Sequence, residues 1–249
     1  MELRPRTGPA GPVITVRTAV VWEVLSAALE EAGPGLVVVD AGGGTGGFAV
    51  PLAEAGHRVT VVDPSPDSLA ALQRRAAERG LDVEALQGDL GDLPQLVASG
   101  SADLVLCHSV LEVVDDAAAA LAAVAAVLRP GGRLSLLVAN RDAAVLARAL
   151  AGRPDEAAHV LTDPAGRWGP ADGTARRWTP AAVTDLVTAA GLSVEQVHGV
   201  RTVSDLVPSA VLDTEPGAAA ALLALERALS DREPFLALAT QLHVLARKG

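Results

Sequence analysis

The chain alternates between short continuous apolar runs and longer stretches with apolar positions three and four residues apart. After a loose leader of Pro, Gly and Arg over residues 1 to 12, the pattern turns helical from Val13. Val16, Val20, Val24 and Leu25 share a face with Trp22 nearby, and Gly33-Pro34-Gly35 stops the helix. Leu36 to Val39 then reads as a buried strand that runs through Asp40 into a block of glycines. Phe48, Val50, Leu52 and Ala53 follow at helical spacing, so a helix is predicted over about Gly46 to Ala55.

The same alternation continues down the chain. It predicts a strand at Arg58 to Asp63, a helix from about Ser68 to Glu78, a strand near Val83 to Gln87 and a strand at Asp103 to His108. An Ala-rich helix over 117 to 128 and a strand at Arg133 to Asn140 come next. Residues 141 to 180, rich in Gly, Pro, Asp and Arg, break the rhythm and read as a lid or insertion. Thr179 is placed to cap a helix opening at Pro180 and ending at Gly191. A strand from Leu192 to Val200, a helix from about Pro216 to Leu229 and a last strand from Phe235 to Ala246 complete the reading. Strand and helix in alternation imply an α/β fold with a parallel sheet covered on both faces. Right-handed crossovers put every strand's carboxyl end on one rim, where ligands bind.

The glycine block, Gly42, Gly43, Gly44, Gly46 and Gly47, holds more glycine than a strand-to-helix turn needs. Without Cβ atoms the backbone can lie directly against a ligand, and the free N–H groups of the helix start favour an anionic group. Gly42, Gly44 and Gly47 also fit the dinucleotide pattern GxGxxG. Asp63 ends the second strand about 20 residues beyond Asp40, where a carboxylate can accept both ribose hydroxyls of either NAD or S-adenosylmethionine. Asp40 separates the two. A carboxylate at the tip of the first strand repels a pyrophosphate and attracts an ammonium and a sulfonium, so the cationic cofactor is favoured.

Composition narrows the class. The 249 residues suit one α/β domain with additions, and half of them are apolar. The net charge of −10 disfavours broad nucleic-acid affinity, and with Lys248 the only lysine any basic groove must be built from arginine. Cys107 is the single cysteine, which excludes a disulfide framework and fits a reducing, cytoplasmic setting. The longest apolar run, Ala117 to Leu128, is too short to span a bilayer, and the first residues lack the apolar core of a secretion signal.

Taken together, VVVDAGGGTG, Asp63, QGDLGDLP, DLVLCHSVLEVV and LRPGGRLSLLV resemble the class I S-adenosylmethionine-dependent methyltransferases. That resemblance implies a Rossmann-like, mostly parallel seven-stranded sheet whose last strand is antiparallel, and S-adenosyl-L-methionine as cofactor. Further segments are similar to the tRNA 5-carboxymethoxyuridine methyltransferase family. They are Arg17-Thr-Ala-Val-Val-Trp22, the triple glycine, His108-Ser-Val-Leu-Glu112, Gly199-Val-Arg201, and Arg232-Glu-Pro-Phe through Leu242-His-Val-Leu-Ala-Arg-Lys248. The likeness implies tRNA as partner and methylation of a uridine carboxylate at the wobble position; a small-molecule O- or N-methyltransferase is the alternative. Where that family is rich in lysine before the sixth-strand helix, this chain has only Arg167, Arg176 and Arg177.

By the resemblance, Arg17, Gly42, Gly43, Asp63, Asp89, Leu90 and His108 fall at or beside cofactor-binding positions, to which the glycine turn adds Asp40, Gly44 and Gly46. Arg17 is suited to pair with the cofactor carboxylate, and Asp89 or the backbone at Leu90 to hold the adenine edge. Transfer to a carboxylate needs no general base, so the acceptor-orienting candidates are cations, Arg201 first and then Arg177 beside Trp178. His108 is expected to contact or orient rather than transfer a proton, and Trp168 to stack on a base or pack the lid. Glu112 reads as a helix-start residue, His243 as structural and Cys107 as a small core residue. No metal is implied.

Overall fold

A computed structural model describes residues 16–249. The expected leader and the residues from Val13 to Thr15 lie outside them, and the first described helix, α1, spans Ala19–Ala32. Arg17 therefore stands just ahead of the helix rather than on its first turns.

The remaining elements follow the predicted alternation. They are β1 (Val37–Ala41), α2 (Ala49–Glu54), β2 (Arg58–Asp63), α3 (Pro66–Ala77), β3 (Glu84–Gln87), a 3₁₀ turn at Leu90–Asp92, α4 (Leu93–Leu96), β4 (Ala102–His108), α5 (Ala117–Val127) and β5 (Leu128–Ala139). Then come α6 (Arg141–Leu150), α7 (Pro154–Thr162), α8 (Pro180–Ala189), β6 (Leu192–Val200), α9 (Ser209–Thr214), α10 (Ala218–Leu229), α11 (Phe235–Leu238) and β7 (Gln241–Lys248). Helix starts are fixed by capping. Ser65 accepts from the Ser68 N–H, Asp116 from the Ala118 and Ala119 N–H groups, and Thr179 from the Ala182 N–H.

The seven strands form one sheet in the order β3-β2-β1-β4-β5-β7-β6. Pairings among β1 to β5 are parallel, and β7 runs antiparallel to both β5 and β6. The strand order reverses between β1 and β4, and a crevice opens outside their carboxyl ends at that switch point. Aliphatic clusters fill both faces. Val39, Val105, Leu121, Leu136 and Val183 belong to one, and Val21, Trp22, Leu25, Val38, Leu72 and Leu106 to the other. Each fully buried leucine contributes about 2 kcal/mol, which lets a core this poor in aromatics hold the rim rigid. Among the described residues no helix is long and apolar enough to cross a membrane.

Three expectations are corrected, and one stretch gains detail. Residues 235–238 are a helical turn, and the last strand starts only at Gln241. Gly199 explains this: a Cβ there would stand 2.7 Å from the Ala239 Cβ and 3.1 Å from the Leu236 Cα, so the turn docks on β6 where a side chain is missing. The helix predicted from Gly46 starts at Ala49. Gly46, at φ +80°, lies against Leu72, where a Cβ would come within 2.3 Å of Cδ1, and it stays in a turn together with Gly47 and Phe48 after it. Glu112 does not open a helix; it sits in a turn, and Asp116 caps α5 instead. Residues 141–180 carry two helices, α6 and α7, before an irregular stretch from Asp163 to Thr179.

Candidate active site

At the switch point a cavity of about 330 Å³ is lined by Arg17, Asp40, Gly42, Gly43, Phe48 and His108, among others, and reaches Arg201. The glycine turn forms its floor. Gly42 sits at φ +77°, a region open chiefly to glycine, and its N–H donates to the Val62 carbonyl. A Cβ on Gly43 would lie 2.5 Å from the Asp40 carboxylate, so the backbone and that acid touch directly. Asp40 is buried, and burial pushes its carboxyl up to about 7, with the neighbouring Asp63 charge adding to the rise.

Asp63, at the carboxyl end of β2, is buried and turned toward the glycine turn. One of its oxygens accepts the Gly44 N–H at 2.9 Å and the other the Ser65 N–H at 2.9 Å. A carboxylate offers about four acceptor positions, so two remain for other donors. Asp89 caps the 3₁₀ turn: it accepts the Gly91 N–H at 2.7 Å while its own N–H donates to Asp92. Leu90 is buried beneath it. The structure thus brings Arg17, Asp40, Gly42, Gly43, His108 and Arg201 to one cavity. Asp63 and Gly44 bond each other beside the glycine turn but do not line that cavity, Gly46 faces Leu72, and Asp89 and Leu90 stand just after β3.

His108 packs edge-on against Phe48, with ring centroids 4.6 Å apart, and Phe48 stacks on Trp22 at 4.8 Å. Its Nε2 meets the Ser135 hydroxyl at 2.9 Å, and the same hydroxyl meets His243 Nε2 at 2.7 Å. A hydroxyl has one proton, so at most one of these contacts is donated by serine and the other must come from an imidazole N–H. At least one of the two rings therefore carries its proton on Nε2. Burial pushes His108 down to about 3 and His243 well below the usual histidine range, which keeps both neutral. Neutral rings tied to one hydroxyl are held in orientation and carry no charge. Cys107, behind them, is fully buried and its thiol is pushed up by desolvation.

A second cavity of about 450 Å³ adjoins the first and shares Ser109, Arg201 and Gln241 with it. Its wall includes Glu112, Arg148, Trp168 and Arg177. Arg177 is held by Asp172 through two hydrogen bonds of 2.6 and 3.0 Å, so its charge is already balanced. The Arg148 guanidinium lies 5.0 Å from the Trp168 ring centroid. Arg201, at φ +61°, follows β6 and bonds Asp205 at 2.5 Å; Asp205 also reaches Arg17 at 3.4 Å.

The sequence reading passed over several residues that build this site. Glu226 of α10 is completely buried, and its carboxylate accepts the Thr202, Val203 and Ser204 N–H groups at 2.6 to 3.0 Å. It thereby fixes the loop that presents Arg201. The signal was an acid on the same helix face as buried Leu222, a position where a charge is costly without partners. Asp172 and Asp205 carried no such signal, because short acids in Gly- and Ser-containing loops ordinarily serve as turn residues.

This fold and this rim crevice define an S-adenosylmethionine-dependent methyltransferase of class I. Residues 38–132 match the model of a methyltransferase domain. The tRNA 5-carboxymethoxyuridine methyltransferase of Escherichia coli strain K12 is 31% identical over 236 residues, covering 94% of this chain and 88% of that enzyme. A ubiquinone biosynthesis O-methyltransferase of Xanthomonas axonopodis pv. citri is 35% identical over 145 residues, 58% of this chain and 59% of that protein. Among solved structures, an S-adenosylmethionine-dependent methyltransferase from Mesorhizobium loti shares the fold with a TM-score of 0.63 at 24% identity, covering 94% of this chain and 100% of that one. Magnesium protoporphyrin IX methyltransferase from Synechocystis PCC 6803 with bound SAH gives 0.61 at 19% identity, covering 94% and 84%. The chain belongs to the same family of class I S-adenosylmethionine-dependent methyltransferases as the Escherichia coli enzyme, and S-adenosylmethionine is its cofactor.

Proposed function

We propose that the protein methylates a carboxylate oxygen, and that the acceptor is 5-carboxymethoxyuridine at the wobble position of tRNA. The observation that carries this reading is Arg201, which lines both the cavity at the glycine turn and the larger one beside it and, though paired with Asp205, keeps an unpartnered Nε. The residues suit the cofactor. Gly42 and Gly43 let it lie on the backbone, Asp63 has acceptor capacity left for ribose hydroxyls, and buried Asp40 gains a cationic neighbour that favours its ionised form. Arg17 is placed to pair with a carboxylate, and Asp89 or the backbone at Leu90 to meet the adenine edge.

When bound, S-adenosylmethionine supplies an electrophilic methyl group on a sulfonium. The protein's task is then alignment. Arg201 holds the anionic acceptor at the junction of the cavities, with Arg177 further along the same wall. Phe48 and Trp22 form an apolar stack that limits water near His108. A carboxylate is ionised near neutral pH, so no residue has to remove a proton.

A small-molecule O- or N-acceptor is the second reading, favoured by the arginines between 141 and 177. Arg141 bonds the carbonyls of Val160, Leu161 and Asp163, Arg176 those of Val114 and Asp115, and Arg148 and Arg153 pair with Glu156. Charge committed inside the fold is poorly placed to neutralise phosphates. Incubating the protein and methyl-labelled S-adenosylmethionine with total tRNA from cells lacking it separates the readings. A labelled, base-labile ester on uridine is expected; tRNA without label, alongside transfer to a small acceptor, selects the second.

A further inference from the structure

The larger cavity has a carboxyl group in its wall that nothing in the fold fully uses. Glu112 is 6% exposed. Its Oε1 accepts the Ala139 N–H at 2.7 Å, which ties the turn after β4 to the end of β5. Its Oε2 is buried without a hydrogen-bond partner, and a buried polar atom left unpaired costs about 1–3 kcal/mol, so its retention calls for a role.

The neighbouring polar groups are already committed. The Asn140 amide donates to the carbonyls of Ala237 and Ala239 and its oxygen accepts the Asp142 N–H, while Gln241 donates to Ser109. Arg177 is taken by Asp172 and Arg148 by Glu156. Among the described residues lining this cavity, two buried side-chain polar atoms lack a partner, Glu112 Oε2 and Arg201 Nε. An ordered ligand that satisfies both must meet a guanidinium N–H and a carboxyl group together.

We propose that Glu112 is a specificity residue for the acceptor: in its neutral form its Oε2–H donates a hydrogen bond to an oxygen of the acceptor carboxylate, beside the N–H of Arg201. This deepens the carboxylate reading given above and rests on it. Two carboxyl groups sharing a water-poor site cannot both be ionised cheaply, so they hold one proton between them. The proton sits on Glu112, the group that is not methylated, and the acceptor keeps its nucleophilic charge.

The charges around Glu112 are consistent with this. Desolvation raises its carboxyl above the usual glutamate range, opposed by its own and the Ala139 N–H groups and by Arg177 from the loop before α8. Arg177 is largely neutralised by Asp172, Cys107 on β4 has a thiol whose titration is pushed up by burial, and Arg148 of α6 faces Glu156. Arg201 is the remaining cation; its Nη2 pairs with Asp205, and its Nε has no partner. An arriving carboxylate therefore raises Glu112 further, and binding takes up a proton wherever free Glu112 is ionised.

The test is titration calorimetry of 5-carboxymethoxyuridine nucleoside into the protein saturated with S-adenosylhomocysteine, from pH 5 to 9, in buffers of different ionisation enthalpy. Wild type is expected to take up close to one proton at the alkaline end and none at the acid end, with affinity falling about tenfold per pH unit once Glu112 is ionised. Glu112→Gln keeps an acceptor for Ala139 and a neutral donor toward the cavity; it is expected to abolish the uptake and flatten the pH dependence. Binding without proton uptake, or uptake unchanged in Glu112→Gln, overturns this assignment alone. A wild type that binds S-adenosylhomocysteine but no nucleoside at any pH overturns the carboxylate reading and this assignment with it. S-adenosylhomocysteine affinity and melting temperature close to wild type establish that the variant is folded.

Discussion

Gly42→Val is expected to weaken S-adenosylhomocysteine binding by about 100-fold or more, equivalent to ~2.7 kcal/mol. Two independent effects act at this position. The residue sits at φ +77°, a left-handed conformation that costs roughly 1–2 kcal/mol for an ordinary L-residue and more for a β-branched one. In addition, a Cβ there would stand 2.3 Å from Val110 Cγ2, so the turn has to move. Any shift drags Gly43 off the Asp40 carboxylate and Gly44 off Asp63, the contacts that shape the cavity floor. Because β1 and α2 are held by separate apolar contacts, the far-ultraviolet circular dichroism should stay native while the calorimetric titration goes flat. Unaltered affinity would show that the cofactor does not lie on this turn.

The second large effect is expected at Arg201. Arg201→Met should lower kcat/KM for a carboxylate acceptor by about 100- to 1000-fold, in the range seen when one preorganised electrostatic partner is removed. S-adenosylhomocysteine affinity should change far less, because Arg17, Asp63 and the glycine turn remain. The substitution keeps bulk at the junction of the two cavities and leaves the loop anchored by Glu226, so the loss would report charge rather than collapse. Arg201→Lys should restore only part of the rate, since an ammonium lacks the planar pair of donors. A Met variant that turns over normally would place acceptor recognition elsewhere.

Much of this arrangement was legible from residue order. Leu36–Val39 read as a strand because buried parallel strands are continuously apolar, Arg58–Asp63 because of its valines, and Thr179 marked a helix start through a side chain that accepts a backbone N–H, whereas the same caps at Ser65 and Asp116 were passed over. The antiparallel β7 came only from the family likeness, since pairing partners far apart in sequence leave no local trace. Phe235–Leu238 was misread because a four-residue apolar run fits a strand and a helical turn equally; the deciding feature, bare Gly199 on β6, lies elsewhere in the chain.

The site was legible to a similar depth. Residues drawn to the cavity by element ends, such as Asp40, Gly42 and His108, could be placed as soon as the strands were. Glu112 and Glu226 could not, because their meaning lies in what their carboxyl groups touch: Ala139 across two strands in one case and a loop over twenty positions upstream in the other. An acid near a helix start is usually solvated, and only burial reveals that it is not.

The central claim is that the glycine turn and Asp63 clasp a cationic methyl donor at the open edge of the sheet. Parallel calorimetric titrations of S-adenosylhomocysteine and NADH into wild type and Asp63→Ala test it most directly. The expected result is binding of S-adenosylhomocysteine with no comparable heat from NADH, and a loss of at least tenfold in the Ala variant as the ribose hydroxyls lose their acceptor. Tighter binding of NADH, or an Asp63→Ala protein that binds S-adenosylhomocysteine as well as wild type, would contradict it.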